Sequence, residues 1–261
     1  MTQTQRSRGG CGCAGALVIV VIASLLIWSL SFLGDITARR DLGPVPDNVP
    51  PQAGQEVAHI DVHAPGRTAD KLTYWSQDLS EQTRTPGQAL RAYANAELIA
   101  RDAWPECNLR WNTLAGLGWV ETQHGTYNGN RLRPSKLNDA GYPEPAIVGI
   151  PLDGTNSTAR IEDTDNGELD GDTEFDRAVG PMQFIPSSWQ RYGRDANGDG
   201  RADPNQIDDA ALSAAHLLCT NGGNLDEEQG WMRAIFSYNQ SNQYVRDVAD
   251  AANAYAVGQP A

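Results

Sequence analysis

The sequence is poor in positive charge, with 20 Lys and Arg residues against 33 Asp and Glu residues and a net charge of −13 at pH 7. The first 33 residues contain Arg6 and Arg8 but no acid, so the rest of the chain is more acidic still. Binding to nucleic acid needs a basic surface that neutralises phosphates. The composition therefore excludes nucleic acid as the expected partner.

Long hydrophobic runs are also scarce, since only Ala14 to Leu33 continues for twenty residues without a charge. That length spans a bilayer and exceeds the apolar core of a cleavable signal peptide. The two arginines before it favour a cytoplasmic amino terminus. We therefore predict a cytoplasmic tail (1–13), a single transmembrane signal anchor (14–33) and an extracytoplasmic domain. A long, cleaved signal peptide is the alternative.

Cysteine is rare, and the four cysteines form two pairs in different surroundings. Cys11 and Cys13 precede the apolar run as a C-x-C pair, which is too short to be a metal site by itself. Cys107 and Cys219 stand alone in the globular part of the chain. In an exported domain these two are expected to form a disulfide, and two buried free thiols are the alternative.

The composition changes twice after the apolar run. Residues 41–55 are rich in proline, which suits an extended spacer. From residue 86 onward, alanine-rich stretches with apolar residues on one face indicate helices, and strand patterns are minor. We therefore predict a proline-rich linker and extended segment over 34–85, followed by a mainly α-helical domain over 86–258.

One predicted helix, 111–125, carries an acid near its end. Its apolar residues recur at a spacing of three to four, which predicts an amphipathic helix. Glu121 faces the negative end of the helix dipole, and Trp119 and Val120 flank it with apolar bulk. Both effects raise the pKa of a carboxyl group, as a general acid at neutral pH requires. An ordinary solvated glutamate is the alternative.

The stretch 195–203 matches the opening of an EF-hand calcium loop, D-x-N-x-D-G. Calcium prefers six to eight oxygen ligands, and Gly200 would make the sharp turn. The twelfth position holds Gln206 instead of the usual bidentate Glu, so Asp208 or Asp209 must complete the shell. We predict a structural Ca²⁺ ion and no organic cofactor. The first ligands would be the side chains of Asp195, Asn197 and Asp199 and the carbonyl of Arg201.

Four motifs occur in one order over about residues 88–258: GLGWVETQHG, EFDRAVGPMQFIPSSW, DANGDGRADPNQIDDA and SYNQS. Together they resemble the lytic murein transglycosylases of the membrane-bound type B family, which contain a lysozyme-like SLT domain. Actinobacterial members with an amino-terminal membrane segment are the most similar. The resemblance implies a mainly α, lysozyme-like fold with an EF-hand-like loop, on a domain that faces the cell wall.

The resemblance also implies roles for individual residues. The catalytic acid of the family falls on Glu121, and the acid that closes the family's longer calcium loop falls on Asp209. The G-x-x-Q-F and Y-N motifs bind sugar. Their implied substrate-binding residues here are Met182, Gln183, Phe184, Tyr238 and Asn239. The insertion 126–179 departs from the family pattern and has no implied role.

The implied substrate is peptidoglycan, and the reaction needs a single carboxylic acid. Protonated Glu121 would cleave the bond between N-acetylmuramic acid and N-acetylglucosamine, and its carboxylate would then help close a 1,6-anhydro ring. Hydrolysis would need a second carboxylate about 5–9.5 Å away, and Glu174 and Asp176 are the nearest candidates. A muramidase and a non-catalytic wall-binding module are therefore the alternatives. The sequence does not specify protein partners.

Overall fold

The computed structural model describes residues 44–156 and 158–261. The predicted cytoplasmic tail and transmembrane anchor lie outside these residues, as does the start of the predicted linker. Within the described ranges, no helix has the length and apolar character needed to cross a membrane. From Val45 to Ala261 the chain forms one compact unit.

The described chain is mainly helical, as predicted. Short 3-10 helices at Thr68–Leu72 and Pro105–Cys107 and one antiparallel strand pair, β1 (Lys136–Leu137) and β2 (Pro143–Glu144), complete the regular structure. The α-helices are α1 (Thr73–Thr83), α2 (Gly87–Ala103), α3 (Trp111–Thr122), α4 (Pro186–Tyr192), α5 (Ile207–Gly222), α6 (Glu228–Tyr238) and α7 (Asn242–Ala256).

Helix α3 lies in the core and packs against α2 and α7. All residues from 111 to 118 are buried, so the predicted amphipathic character is wrong for this part of the helix. A helix covered by neighbours on every side has no polar face to keep in water. Its polar side chains are hydrogen-bonded instead: Asn112 donates to the carbonyl of Ala252 at 3.0 Å, and Thr113 accepts from the Trp231 indole at 3.1 Å.

Helices α3 and α7 run antiparallel and approach each other closely at Gly116. A Cβ atom at this position would lie 2.7 Å from the carbonyl oxygen of Val248, so only glycine permits the contact. Asn112 at the start of α3 meets the end of α7, and Glu121 at the end of α3 meets Tyr244 at the start of α7. The packing of these two helices therefore fixes where Glu121 lies.

Residues 45–62 pack against the helices, so this part of the predicted linker is not a free spacer. The segment has no helix or strand, and its Val57 is only 2% exposed. The compact unit begins at Val45, well before the predicted boundary at residue 86, because helix side chains bind the backbone of this segment. Carbonyl oxygens of Asn48, Gln52, Gln55 and Glu56 accept hydrogen bonds from Asn253, Asn112, Trp111 and Trp75, respectively.

The predicted disulfide between Cys107 and Cys219 is confirmed, with a Cα–Cα distance of 5.2 Å. Cys107 ends the 3-10 turn that connects α2 to α3, and Cys219 lies in the last turn of α5. The bond therefore ties the entry of α3 to a helix 112 residues further along the chain.

Candidate active site

Glu121 is the penultimate residue of α3, and its side chain is half-buried. Burial raises the pKa of Glu121 from its ordinary value of 4.5 to about 7. The hydroxyl of Tyr244 donates a hydrogen bond to Oε1 of Glu121, which acts in the opposite direction and lowers the pKa. Both the protonated and the ionised forms of the carboxyl group are therefore accessible near neutral pH.

The end of α3 is fixed by its backbone and by a buried histidine. The helix ends at Thr122, three residues before the predicted stop, because the next two residues adopt positive φ angles of 50° and 63°. The ring of His124 lies within hydrogen-bonding distance of the hydroxyls of Tyr93 (3.2 Å) and Tyr255 (2.8 Å). Burial lowers the pKa of His124 to about 3, so it stays neutral and serves as a polar anchor for the helix end.

Two hydrogen bonds bring the predicted motifs together around Glu121. Thr122 Oγ1 donates to the carbonyl of Pro181 at 2.5 Å, which ties the helix end to the G-x-x-Q-F segment. Tyr238 donates from its hydroxyl to the carbonyl of Met182 at 2.6 Å, which ties the same segment to the end of α6. Residues far apart in sequence thus form one local site.

Tyr238 and Tyr244 line the site with parallel rings, whose centroids are 6.4 Å apart at an interplanar angle of 7°. Burial, and then the negative charge of Glu121, raise the pKa of both hydroxyls well above the ordinary value of 10. Both therefore remain hydrogen-bond donors at neutral pH. Tyr244 is a site residue that no sequence pattern indicates, although it follows the predicted Y-N motif by only a few residues.

The predicted substrate-binding residues divide into two groups. Gln183 is half-buried, has a φ of 48°, and donates from Nε2 to the Gly180 carbonyl at 3.0 Å. Asn239 is exposed at the end of α6. Met182 and Phe184, by contrast, are core residues with 0% and 2% exposure, so their prediction as substrate-contacting side chains is wrong. They support the site from behind.

The two candidate second carboxylates differ in their surroundings. Asp176 is fully buried, and both of its oxygens accept hydrogen bonds from Thr164. Glu174 is exposed in the same loop. Since Asp176 is enclosed and already bonded, it is not available to activate a water molecule for hydrolysis.

The two residues that could close the predicted calcium loop have different partners. Asp208 is paired with Arg67 at 2.7 Å, whereas the oxygens of Asp209 accept backbone N–H groups of the loop itself. Burial raises the pKa of Asp209 to about 6. Gln206, at the twelfth position, caps α5 by accepting hydrogen bonds from the backbone N–H groups of Asp208 and Asp209. Of the two candidate closing acids, Asp209 is therefore the one that faces the loop.

The rest of the loop has a compact, turn-rich backbone. The two carboxylate oxygens of Asp195 accept the N–H groups of Gly198 and Gly200, both at 2.8 Å. These glycines have φ angles of 77° and 91°, a region that other residues rarely adopt. The loop thus turns sharply at Gly200, as predicted, and also at Gly198.

A second acidic cluster lies in the loop 162–172 and its flank. Carboxylate oxygens of Asp163, Asp165 and Asp176 come within 4.8 Å of one another, which marks a geometric candidate for a metal among the described residues. Asp163 and Asp165 are half-buried and accept backbone N–H groups of their own loop. Because these carboxylates already have partners within the loop, their proximity does not by itself define a metal site.

The helical domain therefore holds a half-buried carboxylic acid of near-neutral pKa beside two tyrosines, and such an acid is suited to general acid–base catalysis. Residues 40–233 match the family model described as "Transglycosylase SLT domain". The match covers most of the chain, so the chain belongs to this family, whose activity is that of a peptidoglycan lytic transglycosylase. No curated protein and no solved structure matches the chain at a significant level.

Proposed function

We propose that this protein cleaves the β-1,4 bond between N-acetylmuramic acid and N-acetylglucosamine in peptidoglycan, and leaves 1,6-anhydromuramic acid ends. The observation that carries the proposal is the carboxyl group of Glu121, whose pKa is raised to about 7 by burial. A group with this pKa can give up a proton and take one back at neutral pH. The reaction needs both steps.

The mechanism uses Glu121 twice. Its carboxylic acid donates a proton to the glycosidic oxygen, and the bond from that oxygen to C1 of the muramic acid breaks. Its carboxylate then accepts the proton of the C6 hydroxyl, whose oxygen bonds to C1 and closes the anhydro ring. The acid is regenerated and no water is consumed, so no second carboxylate is required.

Neighbouring groups support the two forms of Glu121. The Tyr244 hydroxyl donates to the carboxylate and stabilises it between the two proton transfers. Gln183 uses one amide N–H for the Gly180 carbonyl, which leaves its second N–H and its Oε1 for a sugar. Asn239, exposed beside Tyr238, is proposed to bind sugar as well.

The variant Tyr244→Phe should shift the pH dependence of the reaction upward. Without the hydroxyl the ionised form of Glu121 loses a hydrogen bond, so the pKa of Glu121 rises. We expect kcat/KM near pH 7 to fall about tenfold, the size of one hydrogen bond to a charged group, and its alkaline limb to move to higher pH. Tyr74→Phe is the control, since Tyr74 is 89% exposed. An unmoved or lowered limb would contradict the assignment.

We propose that the loop 195–209 binds a structural Ca²⁺ ion through the predicted ligands Asp195, Asn197, Asp199, Arg201 (carbonyl) and Asp209. An ion that binds only the folded state stabilises it, so a chelator should lower the melting temperature by several degrees. The variant Asp195→Asn should be less sensitive to the chelator. Asp78→Asn, at an exposed acid on α1, is the control and should respond like the wild type. A melting temperature that ignores the chelator would argue against calcium in this loop.

An assay for the release of soluble fragments from insoluble peptidoglycan shows whether the protein is an enzyme or a wall-binding module. The wild-type protein should release fragments, and Glu121→Gln should bind the same material without releasing them. If the wild-type protein binds peptidoglycan and releases nothing, it is a binding module.

We also propose, from the sequence, that residues 14–33 anchor the protein in the membrane and that its domain faces the cell wall.

A further inference from the structure

A short stretch around Gly149, inside the insertion that follows the catalytic helix, lies antiparallel to the segment that leads into Gln183. The N–H of Gly149 donates to the carbonyl of Ala178 at 2.8 Å. The carbonyl of Ile147 accepts from the N–H of Gly180 at 2.9 Å. These two bonds fix the distance between the insertion and the G-x-x-Q-F segment.

Gly149 is also held on its carbonyl side. Nη1 of Arg177 donates to the Gly149 carbonyl at 3.2 Å, and Nε of the same arginine donates to Asp172 at 2.8 Å. The backbone of Gly149 therefore has partners at both its N–H and its carbonyl. It cannot move aside without breaking one of these bonds.

The space beside Gly149 is filled by the side chain of Gln183. A Cβ atom at position 149 would lie 3.2 Å from Oε1 of Gln183 and 3.3 Å from the carbonyl oxygen of Ala178. Position 149 is not among those with a positive φ, so its backbone would accept a side chain. The carbonyl of Ala178 is fixed by its hydrogen bond. The amide of Gln183, at the end of a flexible side chain, is the group that would have to shift.

We infer that Gly149 is a positioning residue for Gln183, and that the insertion 126–179 thereby forms one wall of the sugar-binding site. This inference rests on the proposed function, in which Gln183 binds the glycan. Because Gly149 has no side chain, the Gln183 amide can keep the orientation that its hydrogen bond to the Gly180 carbonyl sets. A role is thus assigned to an insertion that the sequence leaves without one.

The variant Gly149→Ala tests the inference by its separate effects on KM and kcat. A displaced amide weakens binding of the sugar, so we expect KM to rise about tenfold with a smaller change in kcat, in keeping with the sensitivity of enzymes to misplaced groups. The alkaline limb of the pH profile should stay where it is, because Glu121 is untouched. Gly87→Ala is the matched control, since its Cβ would meet its nearest neighbours at 3.7 Å.

A double-mutant cycle with Gln183→Ala distinguishes positioning from general damage. If Gly149 acts through Gln183, Gly149→Ala should cause no further loss in a Gln183→Ala background. Fully additive losses, or a Gly149→Ala variant with wild-type KM, would overturn the inference.

The melting temperatures of the same four proteins give a readout that does not depend on activity. Gly149→Ala should lower the melting temperature in the wild-type background, and Gln183→Ala should restore it by making room for the new methyl group. This rescue is expected even if Gly149→Ala alone folds poorly, and its absence would count against the contact. If the wild-type protein proves inactive on peptidoglycan, the proposed function fails, while the rescue still decides whether Gly149 holds Gln183.

Discussion

Replacing Glu121 with Gln should abolish glycan cleavage, with kcat falling about a thousandfold or more, because one residue supplies both the acid and the base. The amide has the shape of the carboxylic acid but neither donates a proton to the glycosidic oxygen nor accepts one from the C6 hydroxyl. The measurement is the initial rate of fragment release at pH 6 and pH 7. Glu174→Gln, an exposed acid in the insertion, is the control and should retain full activity.

The same variant should be more stable than the wild-type protein above pH 7. Burial raises the pKa of Glu121 from 4.5 to about 7, so between these values the folded state binds more protons than the unfolded state. Stability conferred by the wild-type residue is therefore lost as pH rises through this range. The full shift corresponds to about 3 kcal/mol, and the part of the side chain open to solvent reduces this to about 1–3 kcal/mol.

Urea unfolding at pH 5 and pH 8 measures this effect. The difference in unfolding free energy between Glu121→Gln and the wild-type protein should become more favourable to the variant at pH 8. A difference that is the same at both pH values would show that Glu121 does not titrate in this range. A variant that is relatively less stable at pH 8 would contradict the raised pKa outright.

Loss of the Cys107–Cys219 disulfide should produce the largest change in stability. The bond closes a loop over a sequence separation of 112 residues. In the chain-entropy model, a cross-link of this length stabilises the folded state by up to about 4–5 kcal/mol. Urea unfolding of the wild-type protein should therefore shift to a much lower midpoint when reductant is added.

A double variant, Cys107→Ser with Cys219→Ser, separates the cross-link from other effects of the reductant. Its midpoint should match that of the reduced wild-type protein and should not respond to reductant. If the wild-type midpoint is the same with and without reductant, the cross-link does not stabilise the fold as proposed. Cys11 and Cys13 can be replaced in both proteins so that only the structural pair is compared.

The sequence predicts the central residues of the site because they sit in short motifs, but it does not predict their partners. The predicted helix singles out Glu121, and the family resemblance implies roles for Gln183 and Tyr238. Tyr244 was missed because its contact with Glu121 spans 123 residues and arises from the antiparallel packing of α3 on α7. Long-range packing of this kind leaves no local pattern at the position of the tyrosine.

The errors within the predicted site also have a physical origin. Met182 and Phe184 were assigned to the substrate because they neighbour Gln183 in a motif. The positive φ of Gln183 turns the backbone so that Gln183 is half-exposed while its two neighbours enter the core. Residue type alone does not reveal such a turn, because positive φ is uncommon for glutamine.

The boundary of the domain was predicted too late for a related reason. Proline-rich composition favours an extended backbone in residues 41–55 but says nothing about what covers it. The carbonyl groups of this segment are bound by buried donors such as Trp111 and Asn112. Donors that lie more than fifty residues away in sequence cannot be matched to their acceptors from composition.

The most direct test of the central claim is to digest purified peptidoglycan in water labelled with oxygen-18 and to weigh the new muramic acid ends by mass spectrometry. Transfer to the C6 hydroxyl through Glu121 predicts anhydromuramic acid ends that carry no label and weigh one water less than reducing ends. Reducing ends that contain one labelled oxygen would show that water attacks C1, and would contradict the account.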